Sequence, residues 1–291
     1  LDRLARESRQ DDPRLQRELA VAYQKIGNVQ GNPNNANLGD TASALASYRK
    51  ALAIAEPLAA AHPMDDEIQR SLAVIYEKLA DVTAFRGDVT SARAVSGKSL
   101  AIFQRLAGRA PTAVRPQRSF AISRVKAGDL AGHPSFPNAG RKEEALEHYL
   151  RSATILERLH AANPSDGATT RYLGLAYERV GTMRLELGNP REALASYRRS
   201  LEVRERLARE DAAQVEPRRD VGIAYEKIGD ASRALGDRRT AMENYRRSLA
   251  TFEALAAADP RNANARRTLA SGLERMAEAL GEFGREEEAW G

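Results

Sequence analysis

Cysteine is absent from all 291 residues. No disulfide or thiolate metal site can therefore hold this chain, and its redox compartment is left undetermined. No apolar run approaches the roughly 20 residues of a membrane helix, so no membrane contact by this segment is expected. The chain has no Gly-rich phosphate loop followed by Lys, and no His-Arg-Asp or Asp-Phe-Gly triplet, so it is expected to phosphorylate nothing on its own. The nearest approach is SGKS at Ser96 to Ser99. A phosphate loop would need a glycine at position 92, where Ala92 stands, and the neighbouring residues place the motif inside a helix. His62, His133, His148 and His160 have no partner at metal-ligand spacing and read as surface residues. No catalytic residue, metal or cofactor is expected.

What the chain has is repetition. One phrase recurs six times: RELAVAYQKIGN from Arg17, RSLAVIYEKLAD from Arg70, RSFAISRVKAGD from Arg118, RYLGLAYERVGT from Arg171, RDVGIAYEKIGD from Arg219 and RTLASGLERMAE from Arg267. Its anchors are Tyr23, Tyr76, Arg124, Tyr177, Tyr225 and Leu273, separated by 53, 48, 53, 48 and 48 residues. The unit is thus 48 residues, and two copies carry five more. A fixed period of this length is the signature of a repeat architecture, in which each unit buries its apolar face against its neighbours. After each anchor the pattern continues. Tyr177 is followed by Gly181, Gly188-Asn189, Ala193, Tyr197 and Leu201; Tyr225 is followed by Gly229, Gly236-Asp237, Ala241, Tyr245 and Leu249. Apolar and small residues three and four apart predict two amphipathic helices joined by a Gly-Asp or Gly-Asn turn.

This pattern resembles the tetratricopeptide repeat, a helix-turn-helix unit of about 34 residues, over nearly the whole chain. Pro63, Pro111, Pro164 and Pro260 occupy the place of the family's helix-ending proline, with Ala212 in the remaining linker. Each helix is about seven residues longer than in the family, two full turns, so the buried face still points inward. The resemblance implies an all-α fold, a right-handed α-solenoid of stacked antiparallel hairpins with about 12 helices. Residues 1–10 would end a preceding helix. Repeats would span about 11–62, 63–110, 111–163, 164–211, 212–259 and 260–291 of one continuous solenoid, with the last truncated inside its second helix. Both ends fall within the pattern, which predicts a piece of a longer protein. The two five-residue additions fall in Gly27–Asp40 and Gly128–Arg141, share Gly-x-Pro, Asn and x-Gly at the same offsets, and predict two matched turns protruding from one edge.

The recurrent charges are the candidate site. Glu77, Glu178, Glu226 and Glu274 follow the anchor. Next come Lys25, Lys78, Lys126, Arg179, Lys227 and Arg275, and three residues further Asn28, Asp81, Asp129, Thr182, Asp230 and Glu278. In the family such first-helix positions face the groove that grips peptide ligands. Two readings stay open. The acidic residues of one repeat pair with Lys or Arg of the next as a ladder, or the rows hold a partner's charges; the candidate partner-binding residues are Lys25, Asn28, Lys78, Asp81, Lys126, Asp129, Arg179, Thr182, Lys227, Asp230 and Arg275. Tyr23, Tyr76, Tyr177 and Tyr225 read as core residues between helices. The basic pairs Arg49-Lys50, Arg198-Arg199 and Arg246-Arg247 read as solvated surface.

The formal charge is +5, but 45 basic residues are interleaved with 40 acidic ones, which favours a mixed surface over a nucleic-acid-binding stripe. The expected function is a non-catalytic scaffold that binds a protein or peptide. The long unit resembles the repeat tails that follow kinase domains in some bacterial serine/threonine protein kinases. That likeness implies a regulatory or sensor region, cytoplasmic or beyond a membrane span. The alternative is a solenoid that binds nucleic acid or another acidic ligand.

Overall fold

The computed structural model describes residues 12–33, 37–210 and 215–290, with side chains as far as 283. Among these residues there are eleven α-helices and no strand. They are α1 (Pro13–Gly31), α2 (Thr41–Ala61), α3 (Asp66–Phe85), α4 (Val89–Arg109), α5 (Val114–Gly132), α6 (Lys142–Ala162), α7 (Gly167–Glu186), α8 (Pro190–Glu210), α9 (Val215–Ala234), α10 (Arg238–Ala258) and α11 (Ala263–Trp290). The first ten have 19 to 21 residues, which is the two-turn lengthening read from the sequence. The helix expected at residues 1–10 lies outside the described residues.

Helix ends are set by local chemistry. The carboxylates of Asp12, Asp40, Asp65, Asp88, Asp166 and Asp237 accept from the first backbone N–H groups of α1, α2, α3, α4, α7 and α10, which otherwise have no partner in the helix. At the hairpin turns Gly87 and Gly188 have φ of 95° and 77°, the left-handed region that L side chains avoid. C-terminal carbonyls are met by the following repeat. Gln69 Nε2 donates to the Ala59 and His62 carbonyls, and Gln117 Nε2 to those of Ala107 and Ala110.

The chain forms two compact units, Leu1–Ile155 and Leu156–Gly291. In the first, α1 pairs with α2 and α3 with α4, while α2 packs on α3 and α4 on α5. In the second, α7 pairs with α8 and α9 with α10, while α8 packs on α9 and α10 on α11. Every hairpin but one is closed by the same contact. Tyr48, Tyr149, Tyr197 and Tyr245 are buried and lie flat on Gly27, Gly128, Gly181 and Gly229, where a Cβ would sit 2.6 Å from the ring. Only glycine admits the ring at that distance, and burial of a side chain of this size stabilises each hairpin by ~2–3 kcal/mol. The α3–α4 hairpin departs in both members at once: Ala80 replaces the glycine and Ser96 the tyrosine. There Leu130 of α5 packs on Ala80, Ala84 and Ala92 instead.

The two added segments fold alike, as longer hairpin loops. Their helices α1 and α5 have 19 residues against 20 in α3, α7 and α9, so the additions fall after Gly31 and Gly132, where the chain is drawn back along the helix end. Leu38 and Asp40 N–H donate to the Val29 and Gln30 carbonyls, matched by Ala139 and Arg141 N–H to Leu130 and Ala131. Asn37 and Asn138 Nδ2 each bond the carbonyl of the first loop residue, Asn32 or His133. His133 is buried rather than on the surface, its ring tilted against Phe136 and edge-on to Tyr149.

A second departure is at the C-terminus. The break expected near Gly284 does not occur, and α11 runs unbroken to Trp290. Arg285 stands where Asp237 and Asn189 start the other second helices, so the cap that would end the first helix and begin a second is missing.

Candidate functional site: the polar rows of the first helices

In the unit Leu1–Ile155 the structure brings Lys78, Asp81 and Lys126 together. Lys126 Nζ of α5 binds both carboxylate oxygens of Asp81 on α3, at 3.0 and 2.9 Å. Lys78 lies 4.0 Å from the same carboxylate. Burial works against the Lys126 charge, but Asp81 and Glu77 outweigh it and hold the ammonium above the ordinary lysine range. Lys78 is shifted down, by burial first and by Lys126 second. In the unit Leu156–Gly291 the equivalent group is Lys227, Asp230 and Arg275. Arg275 of α11 reaches Asp230 and Glu226 of α9, each at 3.6 Å, and Lys227 reaches Asp230 at 3.5 Å. Each group therefore links one first helix to the next, with its cations partly open to solvent.

The same row positions also serve their own hairpins, Asp230 in addition to its two cations. Asn28, Asp129, Thr182 and Asp230 accept the phenol protons of Tyr48, Tyr149, Tyr197 and Tyr245, at 2.8, 2.7, 3.2 and 2.9 Å. These residues thus anchor the closing tyrosine of their own hairpin. In the repeat without that tyrosine, Asp81 turns to Lys126. Arg179 lies 3.0 Å from its neighbour Glu178, and Lys25 is exposed on α1.

Of the acidic residues after the anchor, Glu77 and Glu178 are buried, Glu226 is half-buried and Glu274 is exposed. Burial raises the Glu77 carboxyl to about 7, against the pull of Lys126, and raises that of Glu226 as well. Glu178 goes the other way: burial is overcome by Arg204 and Arg179, and the carboxyl falls to about 2. Arg204 Nη2 is 2.5 Å from Glu178, and Nη1 donates to the Asp220 carbonyl at 3.0 Å. Sequence reasoning passed over Arg204, although its counterparts in the other second helices are Ala55, Phe103, Leu156 and Phe252. Aligning the second helices as well as the first would have singled it out.

The anchor tyrosines are held from both sides. Tyr76, Tyr177 and Tyr225 donate to Glu56, Glu157 and Glu205, at 2.5, 2.7 and 2.7 Å. Lys98, Arg199 and Arg247 lie over the same rings, as Lys50 lies over Tyr23. The second member of each basic pair is therefore an aromatic cover as well as a solvated charge, with cation–π attraction of ~0.5–1 kcal/mol.

Comparison with solved structures gives the fold. The chain is similar to a Signal Transduction ATPase with Numerous Domains protein with a tetratricopeptide repeat sensor from Pyrococcus horikoshii, at TM-score 0.56 and 17% identity, covering 95% of this chain and 38% of that one. It is similar to BtubC (BKLC) from P. vanneervenii at TM-score 0.50 and 18% identity, covering 84% of this chain and 90% of that one. A putative kinesin light chain of Podosopora anserina with nearly identical TPR-like repeats matches at TM-score 0.49 and 19% identity, over 86% of this chain and 99% of that one. No protein-family profile matches the chain, and no curated protein does. The chain has the tetratricopeptide-like helical fold. Among the described residues no helix is long and apolar enough to cross a membrane.

Proposed function

We propose that the protein is an interaction scaffold, which binds a peptide or protein segment along the face where successive first helices present their polar rows. The observation that carries this reading is the pair of linked groups Lys78–Asp81–Lys126 and Lys227–Asp230–Arg275, in which cations and carboxylates alternate and stay partly open to solvent. A segment with charges of both signs would meet these cations from the solvent side and share them with the carboxylates beneath. Lys25, Asn28, Asp129, Arg179 and Thr182 would extend the two rows. In this reading each of the two units presents such a group, and the chain is the regulatory or sensor part of a larger bacterial serine/threonine kinase.

The test is selection from an immobilised peptide library, with the wild type and the triple variant Lys78→Glu, Arg179→Glu, Lys227→Glu compared at equal helical content by far-UV circular dichroism. Selection of a common motif by the wild type and its loss in the folded variant support the reading. Equal capture by both proteins removes these residues from the site, and an unfolded variant means that the rows hold the repeats together instead. The basic balance of the chain motivates nucleic acid as the competing ligand. Filter binding at low salt, where phosphate contacts are strongest, is expected to show no retention of a DNA oligonucleotide.

A further inference from the structure

The α3–α4 hairpin, which lacks the closing tyrosine, also differs on its outer side. Arg93 stands where the other second helices have Leu45, Leu146, Leu194 and Met242. Gly97, next to Ser96, stands where they have Arg49, Leu150, Arg198 and Arg246. Three large side chains are thus missing or changed within five residues of one helix. A cleft of about 540 Å³ opens at that place, between α4, the end of α5 and the start of α6, with Ser96 and Gly97 in its wall. That volume suits a small organic molecule. None of the polar-row residues lines it.

The chemistry of the wall is selective. Arg93 Nη2 donates to Glu144 at 2.6 Å and Arg141 Nη1 to the other oxygen of the same carboxylate at 3.4 Å, while His148 Nε2 lies 4.0 Å away. Two guanidinium groups therefore share one carboxylate. Burial, then the Arg124 charge, lowers the His148 imidazole below its usual range and keeps it neutral. Its Nδ1 is buried without a hydrogen-bond partner. The site thus has one positive charge in excess, and a guanidinium fork offers more N–H donors than one carboxylate uses. Apart from Thr90 and Ser96, the rest of the wall is apolar, with Leu100 and Leu130 facing the space.

We propose that this cleft binds a small amphipathic monocarboxylate, whose carboxylate shares the Arg93 and Arg141 guanidiniums with Glu144. Its apolar body lies on Leu100 and Leu130, in the space that the larger residues occupy in the other repeats. The SGKS run contributes only Ser96 and Gly97 to the wall. Its backbone N–H groups belong to the interior of α4, so the cleft is not a phosphate loop. This site is independent of the polar rows, and its ligand is a small molecule rather than a chain.

The experiment uses the four histidines as reporters. Ring signals of the full chain with labelled histidine are followed while hexanoate or benzoate is added, with hexanamide and benzamide as neutral controls of the same shape. The His148 signals are expected to shift saturably with the carboxylates and at least about tenfold more weakly with the amides, while His62, His133 and His160 stay still. Gly97→Leu fills the cleft; a Cβ at Gly97 meets nothing within 4 Å, so this variant folds and is expected to abolish the shift. Arg93→Leu, which restores the residue type of the other repeats, is expected to weaken binding about tenfold or more. The proposal is overturned by a still His148 at about 10 mM carboxylate, roughly ten times a millimolar Kd. Equal shifts at all four histidines, equal binding of amides, or undiminished binding to Gly97→Leu each overturn it as well.

Discussion

Glu77 and Glu178 occupy the same repeat position, 101 residues apart, and both are buried, yet their carboxyls are driven in opposite directions, to about 7 and about 2. One residue accounts for most of the difference. The position 26 residues later is Phe103 in one repeat and Arg204 in the other. Phe103 joins the hydrophobic core and leaves Glu77 Oε1 without a hydrogen-bond partner, whereas Arg204 reaches into the hairpin and binds Glu178. The same two repeats contrast Ala80–Ser96 with Gly181–Tyr197, and Arg93–Gly97 with Leu194–Arg198. An identical backbone plan thus supports a hairpin closed by a tyrosine ring in one place, and in another a hairpin packed with small residues that has a cleft on its outer side. The choice is made by correlated pairs of side chains rather than by the helices.

Exchanging those side chains tests the contrast, beginning with the largest expected effect. Arg204→Phe makes the fourth repeat like the second. Phenylalanine fits there, since Phe252 packs on Gly222 as the new ring would on Gly174, but Glu178 is left buried with its main partner gone. We expect a loss of about 3–5 kcal/mol at neutral pH, read by urea denaturation. In the wild type Glu178 titrates below the 4.5 of the free group; its contribution is present above that pH and lost as the pH falls through about 2. In the variant the carboxyl rises above its unfolded value, so the sign reverses and acidification restores stability. A variant equally unstable at all pH values would show that packing, not charge, separates the two repeats.

Gly181→Ala gives the tyrosine-closed hairpin the residue of the hairpin without that tyrosine. Its Cβ would meet the buried Tyr197 ring at 2.6 Å, and overpacking of this kind costs ~1–3 kcal/mol. Adding Tyr197→Ser, the second half of the exchange, should recover part of that loss in a double-mutant cycle. Strict additivity of the two changes would mean that glycine and tyrosine are not coupled.

Glu77→Gln should stabilise the protein by up to ~2–3 kcal/mol at pH above 7 and change little in acid. The reason is that Glu77 has a folded value of about 7 against 4.5 for the free group. The wild-type contribution is intact below 4.5 and is lost as the pH rises to about 7. Denaturation midpoints measured in acid and in mild base give the difference directly. A stabilisation independent of pH would sink the assignment. The smallest effect is expected at the aromatic covers. Arg199→Ala uncovers Tyr177 and Lys98→Ala uncovers Tyr76, at ~0.5–1 kcal/mol each, with the larger loss for Arg199, which also reaches Glu157 at 3.3 Å.

Much of this was legible in one dimension. Six copies of a phrase with Gly-Asp or Gly-Asn breaks define helix pairs of known length, because periodicity, caps and turn residues act over a few neighbours. The anchor tyrosines were legible as core for the same reason. The fate of the polar rows was not. Asn28, Asp129 and Thr182 share a repeat position with Asp81, yet they bind tyrosine hydroxyls within their hairpins; Asp230 binds both its tyrosine and Arg275 of the next first helix, and Asp81 pairs with Lys126. That Asp81 has no such tyrosine depends on Ser96, fifteen residues further along the chain. His133 read as a surface residue because its neighbours are Gly, Pro and Ser; it is buried because the second added segment folds back along α5.

The sequence by itself determined the repeat, the lengthened helices and the pairing of each first helix with the one after it, all of which follow from hydrophobic period and turn chemistry. Only the tertiary structure decided which charges are buried and with whom, and where the stack opens into the cleft beside Arg93. Those outcomes depend on contacts between residues tens of positions apart. There the loss of one ring, or the entry of one guanidinium, changes the surroundings of every group that faces it.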